Sequence, residues 1–335
     1  MKKFVFFIVV AMSAMVFSSC DGTGSQGKGL LSSSGRSGEI LIVCDDDVWQ
    51  GASGDSLQAI LMRPVLGLPQ DEPMFLLSRI SEDRFREAYK RQRNIIVFSI
   101  NPDLWQPKVS VTYNRWAQPQ ILVRIEVQDK QQIVEVLSQY RETLTDYLLD
   151  SEMKRFQRAQ QSKRNFQASS TVEQLFHISM TIPEGFIFAV KDSSFAWLRK
   201  DTKDWTQSIL IYTQPYTDTN QFHNEEIVKE RNIRTKQYVF GSTDSSYTVI
   251  DEDYIPALSE YMRFDEGYAV RTVGLWKTVR DFMGGAFVNM SILDTKNNRI
   301  VTIDGFLYAP SDNKRDLMRQ LEAMMLSVKF QQTGQ

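Results

Sequence analysis

The sequence has 335 residues, 42% of them hydrophobic, and a formal net charge of −2. That length can bury one large core or two ordinary ones, and the order of elements divides it into two. With no basic excess the chain lacks the footprint of a nucleic-acid binder. Two cysteines and two histidines fall short of a disulfide scaffold or a zinc enzyme.

Lys2 and Lys3 open an apolar segment from Phe4 to Phe17 that closes as Phe17-Ser-Ser-Cys20. Small residues directly before a thiol read as a lipoprotein signal peptide over residues 1–20, with Cys20 carrying the lipid after cleavage. The competing reading, a transmembrane anchor, meets a run too short for about 30 Å of hydrocarbon. Residues 21–38, rich in Gly and Ser, are expected to form a flexible tether. Paired acids after the lipidated cysteine are the kind of signal that sends lipoproteins of some bacteria to the cell surface. Their absence here implies an outer-membrane protein facing the periplasm. Cys44, the second cysteine, ends an apolar run and is expected to be a buried small hydrophobe.

A first α/β domain is expected over 39–165. Glu39-Ile-Leu-Ile-Val-Cys44 and Asn94–Ile100 read as strands covered on both faces, as in a parallel sheet. Between them lie a helical pattern from Asp55 to Leu66, a strand at Met74–Leu77 and a helix capped by Ser81 that carries Phe85, Ala88 and Tyr89. Val109–Tyr113 and Ile121–Val127 add two strands. After Asp129 a long helix carries Ile133, Leu137, Tyr140, Leu144 and Tyr147 on one stripe. Its basic end, Lys154, Arg155, Arg158, Lys163 and Arg164, reads as a solvated face, with anionic headgroups as the other candidate. Residues 166–170 loosen into Ser and Gln and mark the boundary.

The second domain, 166–335, reads as strands at Leu175–Ile182, Phe186–Val190, Phe195–Arg199 and Ser208–Tyr212, then a helix at Asn220–Arg234. Four more strands follow at Leu258–Phe264, Tyr268–Trp276, Ala286–Leu293 and Arg299–Tyr308, the last two with visible alternation. Asp294–Asn298 makes a hairpin. Ser311 is expected to cap a closing helix with Leu317, Leu321, Met324, Met325 and Val328 on one stripe. The fold class is therefore α+β: two α/β sandwich domains, the first with a mixed sheet and the second with a mainly antiparallel one.

Chemistry is sparse. Asp45-Asp46-Asp47 stands at the carboxyl end of a strand, where α/β sheets bind ligands. Asp45 and Asp46 could hold a divalent cation, the basis of a metal-assisted hydrolase as the alternative function; the plainer reading is a solvated strand end. The string S-x-x-K occurs at Ser25, Ser151 and Ser311 without companion motifs. His177 reads as part of a polar strand face and His223 as the first turn of a helix. No phosphate loop or dinucleotide fingerprint occurs, so no cofactor is implied. Aromatic residues gather at Trp105, Tyr113 and Trp116 and again at Trp197, Trp205, Tyr212 and Tyr216. Such groups serve either as core or as platforms for a partner.

Several strings carry a resemblance: Gly38-Glu-Ile-Leu-Ile-Val-Cys-Asp-Asp-Asp-Val-Trp49, Pro64-Val-Leu-Gly-Leu-Pro-Gln-Asp-Glu-Pro-Met-Phe75, Trp116-Ala-Gln-Pro-Gln120, and Ile182-Pro-Glu-Gly-Phe186 with Phe195-Ala-Trp-Leu-Arg199. Together they resemble an uncharacterised lipoprotein family of Bacteroidetes-type bacteria, a domain of unknown function. That implies the anchor and the compartment and supplies no activity. The second half is also similar, by fold analogy, to the Mog1/PsbP-like sandwich, which implies binding or assembly rather than catalysis. The expected function is that of an envelope lipoprotein held in the membrane by the lipid on Cys20. It would bind an envelope protein or polymer through Trp105, Trp116 and Tyr113 without catalysis.

Overall fold

The computed structural model describes residues 29–331 apart from 242, 244, 265 and 266. The signal peptide, Cys20 and residues 21–28 lie outside the described residues.

In the first half the elements run β1 (Leu31–Ser32), β2 (Glu39–Val43), α1 (Asp46–Trp49), α2 (Ala52–Leu61), β3 (Leu76–Ile80), β4 (Asn94–Ile100), β5 (Lys108–Tyr113), β6 (Ala117–Gln118), β7 (Ile121–Val127) and α3 (Gln131–Ser162). The main sheet has the order β3-β2-β4-β7-β5. Four of its strands are parallel, and β5 runs antiparallel to β7, which makes the sheet mixed. Helices α2 and α3 cover one face through Leu57, Leu61, Ile133 and Leu137. The opposite face, Leu41, Val43, Ile95, Val97 and Leu122, is covered by Phe85 and Trp116. Burial on both faces explains why β2 and β4 read as continuous apolar runs.

The helix expected after Ser81 is instead two short 3-10 turns, Glu82–Arg84 and Tyr89–Arg91. Phe85 serves the sheet through a loop, so the apolar spacing there reflects packing and not helical period. The end of the expected tether is also ordered. β1 pairs in parallel with β6, and the Ser34 amide donates to the Arg91 carbonyl at 2.8 Å. Backbone pairing holds this Gly/Ser-rich stretch, a force that side-chain composition does not report.

The second half runs α4 (Phe166–Phe176), β8 (Ile178–Ser179), β9 (Ile187–Lys191), β10 (Phe195–Asp201), β11 (Thr206–Pro215), α5 (Asn224–Tyr238), β12 (Tyr247–Asp251), β13 (Leu258–Phe264), β14 (Gly267–Val279), β15 (Gly284–Asp294), β16 (Arg299–Tyr308), α6 (Arg315–Met325) and β17 (Lys329–Phe330). An antiparallel sheet has the order β12-β14-β15-β16-β11-β10-β9, with β13 also on the edge of β14. One face carries Ile209, Ile211, Val301 and Ile303 against α4 and α6. The other carries Leu210, Tyr212, Phe287 and Phe306 against α5. Residues 166–176, expected as a loose boundary running into a strand, form α4. The Asn165 side chain caps it by accepting from the Ala168 amide at 3.0 Å.

The two halves meet through the string Pro64–Phe75. Leu68 is buried in the core of the second sheet, among residues of α4, α6 and β14. The Glu72 carboxylate accepts from the amides of Lys314 and Arg315 at 2.6 and 2.9 Å, so it caps α6 in place of the expected Ser311. Arg315 and Arg319 then donate to the carbonyls of Pro73 and Met74 at 2.9 and 2.7 Å. Gln160, near the end of α3, donates to the Gln320 carbonyl at 2.7 Å.

Candidate functional site

The residues singled out from the sequence fall in three places. Trp105 is 94% exposed in the loop before β5, and Tyr113, at the end of that strand, is 49% exposed. Trp116 does not join them as a platform. Its ring meets Phe85 edge-on with centroids 5.6 Å apart, and Lys90 lies over it, so it belongs to the cover of the sheet's second face. In the acidic triplet, Asp46 pairs with Arg79 and Asp47 with Lys130. Asp45 is exposed and precedes the turn of α1. Among the described residues no group of three or more His, Cys, Asp and Glu is placed to hold a metal. Cys44 is buried, and burial raises its thiol pKa above the ordinary value.

His177 is not on a strand face. It ends α4 with a φ of 52°, in the left-handed region. His223 precedes the first residue of α5 as its N-cap. Arg155, expected on a solvated face, is only partly exposed and donates to Glu152 at 2.8 Å and to the Arg93 carbonyl at 2.9 Å. Burial lowers its pKa from the usual guanidinium value.

The feature with the geometry of a site is a cavity of about 200 Å³ in the second domain, between the sheet and the chain that follows α5. Its floor is one rung of the sheet. Arg199 is register-paired with Ser208, and Ser208 with Phe306. Paired residues share a sheet face, so all three stand on the side facing α5. Trp197, two residues before Arg199 on β10, shares that face, and Phe240 and Met283 line the cavity from the loops. Ser208 forms the floor because its short side chain lies beside the larger Phe306.

Two polar atoms here, the Ser208 hydroxyl and the Trp197 indole N–H, are buried and have no partner among the described residues. The indole of Trp276, which also lines the cavity, is satisfied by donating to the Leu307 carbonyl at 3.2 Å. The Arg199 guanidinium lies 5.5 Å from the Trp197 ring centroid and donates to Asp201 at 2.7 Å. Burial works against charge on Asp201. The donors Arg199 and Thr206 outweigh it and hold its carboxyl below the usual range.

Behind Phe306 lies a network that the sequence reading passed over. Arg231 and Asp304 are fully buried and joined by two hydrogen bonds, 2.8 and 3.1 Å long. Asn289 donates to the same carboxylate at 3.0 Å, and the guanidinium lies over the Phe287 ring at 4.4 Å. Such pairing is what a buried charge requires. The signals were available: an aspartate inside the apolar run of β16, and an arginine between Ile227 and Thr235 on the inner face of α5.

Residues 33–161 match a family model described as a domain of unknown function, DUF8532, and residues 165–327 match another, DUF4837. The chain thus contains two domains of unknown function. No curated protein matches it. Among solved structures, the Saccharomyces cerevisiae Ran-binding protein Mog1p is 12% identical, covering 46% of this chain and 89% of its own, with a TM-score of 0.30. A single-residue variant of protein Mog1 is 13% identical, covering 47% and 92%, with a TM-score of 0.29. Human STARD10 is 7% identical, covering 48% and 80%, with a TM-score of 0.22.

Proposed function

We propose that this chain is a lipid-anchored binding protein of the bacterial cell envelope, of the Bacteroidetes lipoprotein type. It is held at the outer membrane by Cys20, faces the periplasm, and uses the cavity of its second domain as the binding site. The observation that carries the reading is a preformed cavity of about 200 Å³ whose lining includes Trp197, Trp276, Phe306 and Tyr308. A largely aromatic cavity with a few polar side chains in its lining is the usual form of a small-molecule site. Recognition also asks less of the chain than catalysis, which needs a tuned acid, base or nucleophile. Asp46 and Asp47 each face a cation, so the hydrolase alternative gains nothing from the triplet's surroundings.

Purification of the full chain from its native membrane, followed by mass spectrometry of released small molecules, tests the reading. A compound retained by the wild type should be lost from Ser208→Leu, which fills the floor. Retention of the same compounds by both proteins would remove the cavity from the function. Cys20→Ala should release the protein from the membrane fraction, and unchanged membrane retention would remove the anchor.

A further inference from the structure

A face both basic and apolar surrounds the point where the chain enters the first domain. We infer that this face rests on the anionic headgroups of the membrane that carries the anchor, so that the first domain is docked on the lipid surface as well as tethered to it. The inference rests on the lipid at Cys20.

The chain from Leu30 to Ser34 is tied down along this face. The Gln118 side chain donates to the Leu30 carbonyl at 3.3 Å, and Arg91 donates to that of Ser32 at 3.1 Å. Past the pairing of β1 with β6, the Arg93 amide donates to the Ser34 carbonyl at 2.9 Å. Only residues 21–28 then separate Cys20 from Gly29, and covalent geometry limits that stretch to about 30 Å. The lipid therefore lies close to this face. A leash so short holds the domain at an effective concentration on the order of millimolar, at which weak docking contacts suffice.

The side chains suit headgroups. Arg86, Arg91 and Arg115 are exposed and enter no ion pair among the described residues. Arg115 precedes Trp116, whose ring lies under Lys90. Gln120 donates to the carbonyls of Lys90 and Gln92, both at 2.7 Å, so the turn before β6 and the turn at Tyr89–Arg91 form one surface. Of the neighbouring cations, Lys90 is paired with Glu87, and Arg84 stands beside Asp83. Leu30, Leu31 and Tyr89 are 39, 63 and 41% exposed. Cations set among exposed apolar side chains draw a protein to an anionic bilayer. The leash decides for lipid over an acidic protein, because the bilayer is the surface that the anchor itself brings within reach.

The test uses the chain from Asp21 onward, without lipid, and vesicles of equal parts phosphatidylglycerol and phosphatidylethanolamine, with phosphatidylcholine vesicles as the neutral comparison. The chain should sediment with the anionic vesicles and not with the neutral ones, and added salt should release it. An arginine near an anionic surface is worth about fivefold in partitioning, so Arg86→Gln/Arg91→Gln/Arg115→Gln should lower the partition coefficient about a hundredfold. Arg91 also holds Ser32, so a second variant, Arg86→Gln/Arg115→Gln, leaves that contact in place and should lower it about 25-fold. Binding to neither vesicle, equal binding to both, or arginine variants that bind like the wild type would overturn the docking. A second readout locates the face on the lipidated protein. The seven residues of β4 set Trp105 roughly 20 Å from the face, and Cys44 is buried away from thiol labels. An environment-sensitive fluorophore on Leu31→Cys should shift to the blue on anionic vesicles, and one on Trp105→Cys should not; the reverse pattern would also overturn the inference. Membrane retention of Cys20→Ala reports on the anchor alone, so docking and anchor fail separately.

Discussion

Single residues separate recognition from packing most clearly at the two tryptophans first grouped together. Trp105 is 94% exposed, so Trp105→Ala should change the unfolding free energy by less than about 0.5 kcal/mol. Trp116 meets Phe85 and closes the second face of the first sheet, so Trp116→Ala should cost about 3 kcal/mol. Urea melts of the two variants check this, and equal effects would show that the packing is misassigned. The buried Arg231–Asp304 pair gives a sharper case. Arg231→Met leaves the Asp304 charge without its partner and should cost about 3–5 kcal/mol. Adding Asp304→Asn, which removes the charge and can still accept from Asn289, should recover much of that loss. A double-mutant cycle with simple additivity would contradict the pair's mutual dependence. Ser208 illustrates the opposite relation. Its hydroxyl is buried and has no partner among the described residues.

At the scale of elements, period and alternation were the legible signals. β13, β16 and β7 span the residues expected from their alternating or continuous apolar runs, and α3 buries Ile133, Leu137 and Leu144 of its expected stripe while Tyr140 and Tyr147 are exposed. Reading failed where local chemistry depends on distant partners. In residues 166–176 the Ser and Gln content masks the helical spacing of Ala168, Val172 and Phe176, which all face the core. The turns around Phe85 looked helical because their apolar residues answer to a sheet rather than to a helix period. Of the site, only the aromatic residues were visible in advance. Ser208 and Trp197 lie on different strands, and only strand register shows that they share a floor. The start of α6 shows the same limit. Ser311 had the right residue type for a cap, yet the partner of the first amides is Glu72. Glu72→Ala should cost about 1–2 kcal/mol and speed hydrogen exchange at the first turn of α6, while Ser311→Ala should leave both unchanged.

For the whole molecule, the string from Pro64 to Phe75 makes the two domains depend on each other. Gly67 has a φ of +79°, and a Cβ there would lie 2.8 Å from the Val273 Cβ. Gly67→Ala therefore meets both backbone strain and a clash with the other domain. It should loosen the interface and give two urea transitions where the wild type should give one. A second domain expressed alone, residues 165–331, lacks Leu68 and the Glu72 cap and should show a lower unfolding midpoint than the same domain within the full chain. The cap also sets an order in time. Glu72 and Lys314 are 242 residues apart, and a chain leaves the ribosome or an export channel from its N-terminus, with domains folding as units. The first domain can fold and present its carboxylate before α6 exists. The last helix then arrives at a surface that is already waiting, and the first domain serves as the template on which the second is finished.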